Sequence, residues 1–289
     1  MDKKKKKRLG LLLSGLLLLV LSVSAFVGFQ AYQSNQVHQD TLARVKAKKT
    51  IAWGVKTDTK LFGILNVKTG QSEGFDVDLA RALTTQIGEQ VGAELTPTFT
   101  PVSASTKVQL LKNTNIDGVL AVMTITPERA KTVDFTKPYF PAGNAMLVKK
   151  DSGITNIEQL NDPSKTVLVA LGTTAADSVK EFAPKAKIVA LQDYASTMQA
   201  LKAGQGQAIV TDNAILYGMA SENPDYHIVG KQLSAGPYGI AFDHNQKGMT
   251  DEANKAFDAL KKNGTYRKLL EKWFGQVPGI DLDQLEGAV

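Results

Sequence analysis

Arg129, in the stretch Thr126-Pro127-Glu128-Arg129, carries a planar guanidinium fork that can hold a carboxylate through two parallel hydrogen bonds, which a lysine cannot do. The bland alternative is a surface ion pair with Glu128 or Asp134. Asp212 is the matching acid: it could accept an ammonium group, or cap the helix that begins at Asn213. Thr124 could donate its hydroxyl to a ligand, whereas Thr126 stands where a helix cap belongs, before a proline suited to the first helical position. Thr173 and Thr174 offer hydroxyls and free amides at another helix start, and helix starts attract anions. Lys56 and Lys107 border the same strand ends, and Tyr194 opens a helix as either a core aromatic or a ligand platform. Carboxylate-binding groups and one acid suited to an ammonium describe a zwitterion.

Other chemistries fit poorly. The chain of 289 residues has no cysteine and three histidines, which removes thiolate chemistry and disfavours a multi-histidine metal site, so no metal and no cofactor is expected. Gly70-Gln71-Ser72-Glu73-Gly74 matches the nucleophile-elbow pattern, but polar Asn66-Val67-Lys68-Thr69 precedes it where an apolar strand is required. Asp76 and Asp78 read as acids in a first helical turn, where the helix dipole explains them.

These residues need strands and helices to place them. Short β-branched runs predict strands at Ile51–Val55, Glu94–Phe99, Gly118–Val122, Ala145–Val148, Thr166–Ala170, Lys187–Leu191, Ala208–Thr211 and Gly239–Phe242. Amphipathic stretches predict helices at Asp76–Ile87, Val108–Lys112, Pro127–Val133, Thr174–Phe182, Tyr194–Ala203, Asn213–Ala220, Thr250–Lys262 and Gly264–Phe274. Such alternation argues for α/β sheets with helices on both faces. One unit recurs: Gln109-Leu110-Leu111-Lys112 and Gln199-Ala200-Leu201-Lys202 lie 90 residues apart, each followed at the same interval by an apolar strand. The same offset pairs Ala121 with Thr211 and Val122 with Asp212, so two similar lobes are expected. Ligands in open α/β sheets sit beyond the carboxyl ends of the strands, where Ala121 to Thr124, Leu171 to Thr174 and Thr211 to Asn213 fall.

The net charge of +6 is concentrated at one end, because Asp2, Lys3 to Lys7 and Arg8 together carry +5. The remainder is near neutral, which is no footprint for nucleic acid. Leu9 to Val27 follows without a charge. A basic start before an apolar run reads as an export signal or membrane anchor, with Val23-Ser24-Ala25 offering a cleavage site and the span long enough to cross a bilayer. Everything after about residue 30 is then extracytoplasmic.

Several stretches together resemble the polar amino-acid family of solute-binding proteins of ABC transporters (bacterial extracellular solute-binding proteins, family 3), over residues 50–275. They are Glu73 to Leu79, Thr124 to Arg129, Val133 to Tyr139, Tyr238 to Ala241 and Asn263 to Tyr266. The resemblance implies two α/β lobes of the periplasmic-binding-protein type II, joined by two crossing hinges near Tyr139–Gly143 and Ala235–Gly239. The division it implies is a signal peptide or anchor over 1–27, a linker over 28–49, lobe 1 over 50–140, lobe 2 over 141–237, a return to lobe 1 over 238–275 and a tail over 276–289. It also implies roles. Arg129 would hold the α-carboxylate with Thr124, Thr173 and Thr174 would add donors, and Asp212 would accept the α-ammonium. Lys56, Lys107 and Tyr194, with Ala121 at the strand end, look like the glutamate- and aspartate-binding branch, where a cation meets a side-chain carboxylate. The implied protein is a monomer that binds glutamate, aspartate or glutamine and delivers it to an ABC permease in the membrane. The alternative is a dehydratase or lyase on the same fold, with a cleft carboxylate as general acid.

Overall fold

The computed structural model describes residues 22–26, 28 and 40–289. The apolar run from Leu9 to Val27 therefore lies mostly outside the described residues, and among those described no helix is long and apolar enough to cross a membrane. In chain order the elements are helix α1 (Thr41–Lys48), strands β1 (Thr50–Val55), β2 (Asp58–Thr59), β3 (Gly63–Asn66) and β4 (Gln71–Glu73), helix α2 (Phe75–Val91), β5 (Thr96–Pro101), α3 (Lys107–Lys112), β6 (Gly118–Val119), α4 (Pro127–Ala130) and β7 (Val133–Phe140). They continue with β8 (Asn144–Lys149), a 3₁₀ turn (Ile157–Leu160), β9 (Thr166–Ala170), α5 (Ala175–Phe182), β10 (Lys187–Leu191), α6 (Tyr194–Lys202), β11 (Ala208–Asp212), α7 (Asn213–Glu222) and β12 (Tyr226–Val229). The chain closes with β13 (Tyr238–Asp243), α8 (Lys247–Lys262), α9 (Thr265–Phe274) and α10 (Leu282–Gly287).

Two five-stranded mixed sheets carry the fold, in the orders β5-β1-β6-β13-β7 and β10-β9-β11-β8-β12. In each, three parallel strands are followed by an antiparallel one. β6 and β11, the strands of the 90-residue repeat, occupy the same third place in their sheets. Strands buried on both faces read as continuous apolar runs, as in Ala208-Ile209-Val210 of β11, which is buried throughout. Helix α8 shows the other pattern: Met249, Ala253, Ala256, Phe257 and Leu260 bury one stripe while the last turn keeps Lys261 and Lys262. Around the first sheet Phe62, Phe75, Phe140 and Phe274 meet with ring centroids between 5.0 and 6.0 Å apart.

Two segments run between the sheets, one from β7 to β8 and one from β12 to β13. They are bonded to each other, with Gly236 N–H donating to the Ala142 carbonyl at 2.7 Å and Leu233 N–H to the Asn144 carbonyl at 2.7 Å. A Cβ at Gly143 would lie 1.8 Å from the Ser234 carbonyl oxygen, so only glycine lets the crossings touch there.

Several boundaries differ from the sequence reading. The helix expected over Pro127–Val133 stops at Ala130, and Val133 begins the long strand β7, which has no strict alternation to reveal it. β6 ends at Val119, so Leu120 to Val122 form no ladder. The hairpins β2 to β4 and the half-buried β12 are additional. Ser72 sits inside β4, paired antiparallel with Leu65 of β3, not on a sharp turn between strand and helix as an elbow serine would need. Within the stretch read as a linker, α1 is formed and docked through Arg44, which donates from Nε and Nη2 to Asp117 Oδ1 at 2.9 and 2.8 Å.

Candidate functional site

The segment after β6 begins the site. Ala121 and Thr124 are buried, and between them Val122 adopts φ of 45°, the left-handed region that a β-branched residue rarely enters. The Lys107 ammonium, from the first turn of α3, donates to the Ala121 carbonyl at 3.0 Å. Thr126 caps α4, its Oγ1 accepting from the Arg129 N–H at 3.1 Å, so its role is the cap. That cap sets Arg129 at the end of a single turn. From there Nη1 donates to the Thr124 carbonyl at 2.8 Å, and Nη2 reaches the opposite sheet, donating to the Gly172 carbonyl at 2.9 Å. Arg129 makes neither proposed surface pair, since Glu128 pairs with Lys131 and Asp134 with His244.

The second sheet contributes the other wall. Asp212 ends β11 and begins α7 without using its side chain as a cap. Its Oδ2 instead accepts from the Tyr238 hydroxyl at 2.8 Å. Tyr238 also bridges Thr124 through its backbone, so one residue of the second crossing touches both halves of the site. The Thr173 hydroxyl donates to the Ala170 carbonyl at 2.8 Å, and Thr174 Oγ1 accepts from Asn144 Nδ2 at 3.2 Å. Both hydroxyls are thus engaged within their own sheet's loops.

Lys56 and Tyr194 meet from opposite lobes. The Lys56 ammonium lies 5.1 Å from the Tyr194 ring centroid and 2.8 Å from Asp58 Oδ1, while Asp58 Oδ2 accepts from the Tyr194 N–H at 3.3 Å. Asp58 is a residue that sequence reasoning missed. Its signal was spacing, two positions after Lys56, which in an extended chain puts both on one side. Asp76 was misread. It is fully buried, and its carboxylate accepts from the Val122 N–H and the Tyr139 hydroxyl, each at 3.0 Å, so more than a helix dipole holds it.

Burial sets the electrostatics. Desolvation pushes the Asp212 carboxyl up to about 6, against the Tyr238 hydrogen bond and the charges of Lys107 and Arg129. Desolvation likewise pushes Asp76 up to about 7. Lys107 is held well below the usual ammonium range by burial, then by the like charges of Arg129 and Lys56. Arg129 is lowered by burial too, while Asp212 and Tyr194 oppose that shift. Lys56, Lys107, Thr124, Tyr194 and Asp212 are all buried where the two sheets face each other. The Arg129 guanidinium and the desolvated Asp212 carboxyl stand on opposite lobes, and Arg129 donates across to Gly172 of the second lobe.

The model of bacterial extracellular solute-binding proteins, family 3, matches residues 51–276. The chain belongs to this family. This family-3 chain is 41% identical over 267 residues to the ABC transporter glutamine-binding protein GlnH of Bacillus subtilis, covering 92% of this chain and 96% of that protein. It is 39% identical over 236 residues to a glutamine-binding protein of Geobacillus stearothermophilus, covering 78% and 88%. Among solved structures it resembles an ancestral arginine-binding protein bound to glutamine, with a TM-score of 0.71, 37% identity, and coverage of 79% and 99%.

Proposed function

We propose that this chain is the extracytoplasmic binding component of an amino-acid ABC importer and that its ligand is glutamine, held between the two lobes and passed to a permease. The observation that carries the reading is the placement of Arg129 and Asp212 on opposite lobes, joined by the bond from Arg129 to the Gly172 carbonyl. A guanidinium has five N–H donors, so its two protein bonds leave donors for an α-carboxylate. Asp212 takes the α-ammonium. The ligand side chain then extends toward Lys107 and Lys56. Asp58 neutralises Lys56, which favours an amide over a carboxylate at that end. The names of the two bacillary relatives support the same ligand. Glutamate is the second reading, favoured by the buried Lys107 ammonium.

The site binds and does not turn over. An acid catalyst needs a carboxyl free to transfer a proton, whereas Glu128 is an exposed partner of Lys131 and Asp212, held by Tyr238, is committed in this reading to the ligand α-ammonium. The N-terminal apolar run either anchors the protein at the outer face of the cytoplasmic membrane or is cleaved and releases it, and sequencing the mature N-terminus from cells distinguishes the two, a start near Phe26 meaning release. Calorimetric titration with glutamine, glutamate, aspartate and arginine tests the ligand. Glutamine is expected to bind most tightly and to be recovered unchanged. A ligand at about 100 times its dissociation constant adds about 2.7 kcal/mol of stability, which thermal unfolding reads independently. If no amino acid stabilises the protein, the reading fails.

A further inference from the structure

We infer that Asp76 is a positioning residue for the amino-acid site, clamping the strained turn at Val122 so that the Ala121 and Thr124 carbonyls face Lys107 and Arg129. The inference rests on the amino-acid-binding reading above. Asp76 lies in the first turn of α2, behind the site and fully buried. Its two oxygens are divided: Oδ2 takes the Val122 N–H at 3.0 Å and Oδ1 takes the Tyr139 hydroxyl at 3.0 Å. Tyr139 is itself fixed, because the Tyr266 hydroxyl donates to its carbonyl at 2.7 Å. A chain of bonds therefore runs from α9 through β7 and α2 to the loop after β6.

The loop needs such a clamp. Val122 is buried at φ of 45°, and no ladder partner holds it, because β6 ends at Val119. A valine relaxes from the left-handed region unless its surroundings over-determine it. Relaxation would swing the neighbouring peptide groups. On one side the Ala121 carbonyl receives Lys107 Nζ at 3.0 Å, and on the other the Thr124 carbonyl receives Arg129 Nη1 at 2.8 Å. Asp76 is too deeply buried to meet a ligand, so it acts through this turn and through its charge beside Lys107.

Isothermal titration with glutamine compares Asp76→Asn in two backgrounds, the natural chain and Val122→Gly. An asparagine offers one acceptor where two donors converge, so one bond is lost. In the natural background affinity is expected to fall about tenfold or more, the scale of a lost hydrogen bond to a charged group. Glycine adopts the left-handed region freely, so in the Val122→Gly background the same substitution should cost no more than a few-fold. An equal loss in both backgrounds, or no loss in the natural one, overturns the inference. If Asp76→Asn does not fold, Tyr139→Phe removes the second bond to the same carboxylate and is compared in the same two backgrounds by the same criterion. Failure of the natural chain to bind any amino acid would instead overturn the functional reading, and is read separately.

Discussion

At the scale of single residues, the site is built from charges that burial makes expensive and partners that make them tolerable. Removing one member of a desolvated, hydrogen-bonded charge pair typically costs about 2–5 kcal/mol, or roughly 30- to 5,000-fold in affinity. Arg129→Ala and Asp212→Ala are each expected to weaken every amino-acid ligand by that scale, because both would contact the shared α-groups. Lys107→Ala should shift the preference between glutamate and glutamine toward glutamine, read by titrating both ligands. The pH dependence follows from Asp212, whose folded value of about 6 exceeds the ordinary 3.8. The native state then keeps a proton that the unfolded chain has released. Its contribution to stability is fully present below about pH 4 and is lost as pH rises through about 6, with Asp76 extending the loss toward 7. Binding runs the other way, since an ammonium ligand requires ionised Asp212. Affinity is expected to fall up to about tenfold per pH unit below about 6. Titrations at pH 5, 6, 7 and 8 check it, and a flat profile would remove Asp212 from the ammonium.

At the scale of elements, α1 stands outside the family's matched span yet belongs to the folded body. Arg44 and Asp117 are 5% and 6% exposed, and Asp117 Oδ2 also accepts from the Ala52 N–H of β1 at 2.9 Å. The pair thus fastens α1 to β1 and to the turn before β6. Breaking a buried pair from one side strands the other charge and typically costs about 3–5 kcal/mol. Arg44→Ala is expected to lower the unfolding temperature markedly while leaving glutamine affinity near that of the natural chain, since Asp117 lies at the other end of β6 from Ala121. Calorimetry and titration on one preparation separate the effects. The last helix is fastened similarly at the surface, with Arg267 of α9 paired to Asp283 and Glu286. Exposed pairs of that kind contribute little, about 0–1 kcal/mol each.

At the scale of the whole molecule, binding a ligand between the lobes as proposed implies that they close on it, which depends on how near they can approach. Gly172 is at φ of 78°, and a Cβ there would lie 2.9 Å from the Ala104 carbonyl across the interface. The left-handed strain of Gly172→Ala acts whether the lobes are open or closed. The clash with Ala104 acts only when they meet, and overpacking of this kind costs about 1–3 kcal/mol. Glutamine affinity is therefore expected to fall roughly 5- to 150-fold, mainly through faster dissociation. Small-angle scattering should show the variant staying more extended than the natural chain at saturating ligand. Equal compaction of both would show that the lobes do not meet at Gly172.

The sequence by itself determined the pieces with local causes. Thr166–Ala170 and Lys187–Leu191 were legible residue for residue, because β-branched runs between polar turns report their own backbone preference. The 90-residue recurrence was legible because two sheets of one topology repeat the same helix–strand unit. Arg129 and Asp212 stood out because strand ends and helix starts are where α/β sheets place their chemistry. Tertiary structure decided what depends on distant neighbours. Val122 is valine in a conformation its own type disfavours, held by a bond to Asp76, 46 residues away, and by core packing. β7 was hidden because a strand with mixed burial on both faces has no simple period. The approach of Lys56 to Tyr194 needed the two lobes side by side, whereas its pair with Asp58 is local. Charges are spelled in the sequence, but their burial, and with it their pKa and grip on a ligand, comes only from the surfaces that close over them.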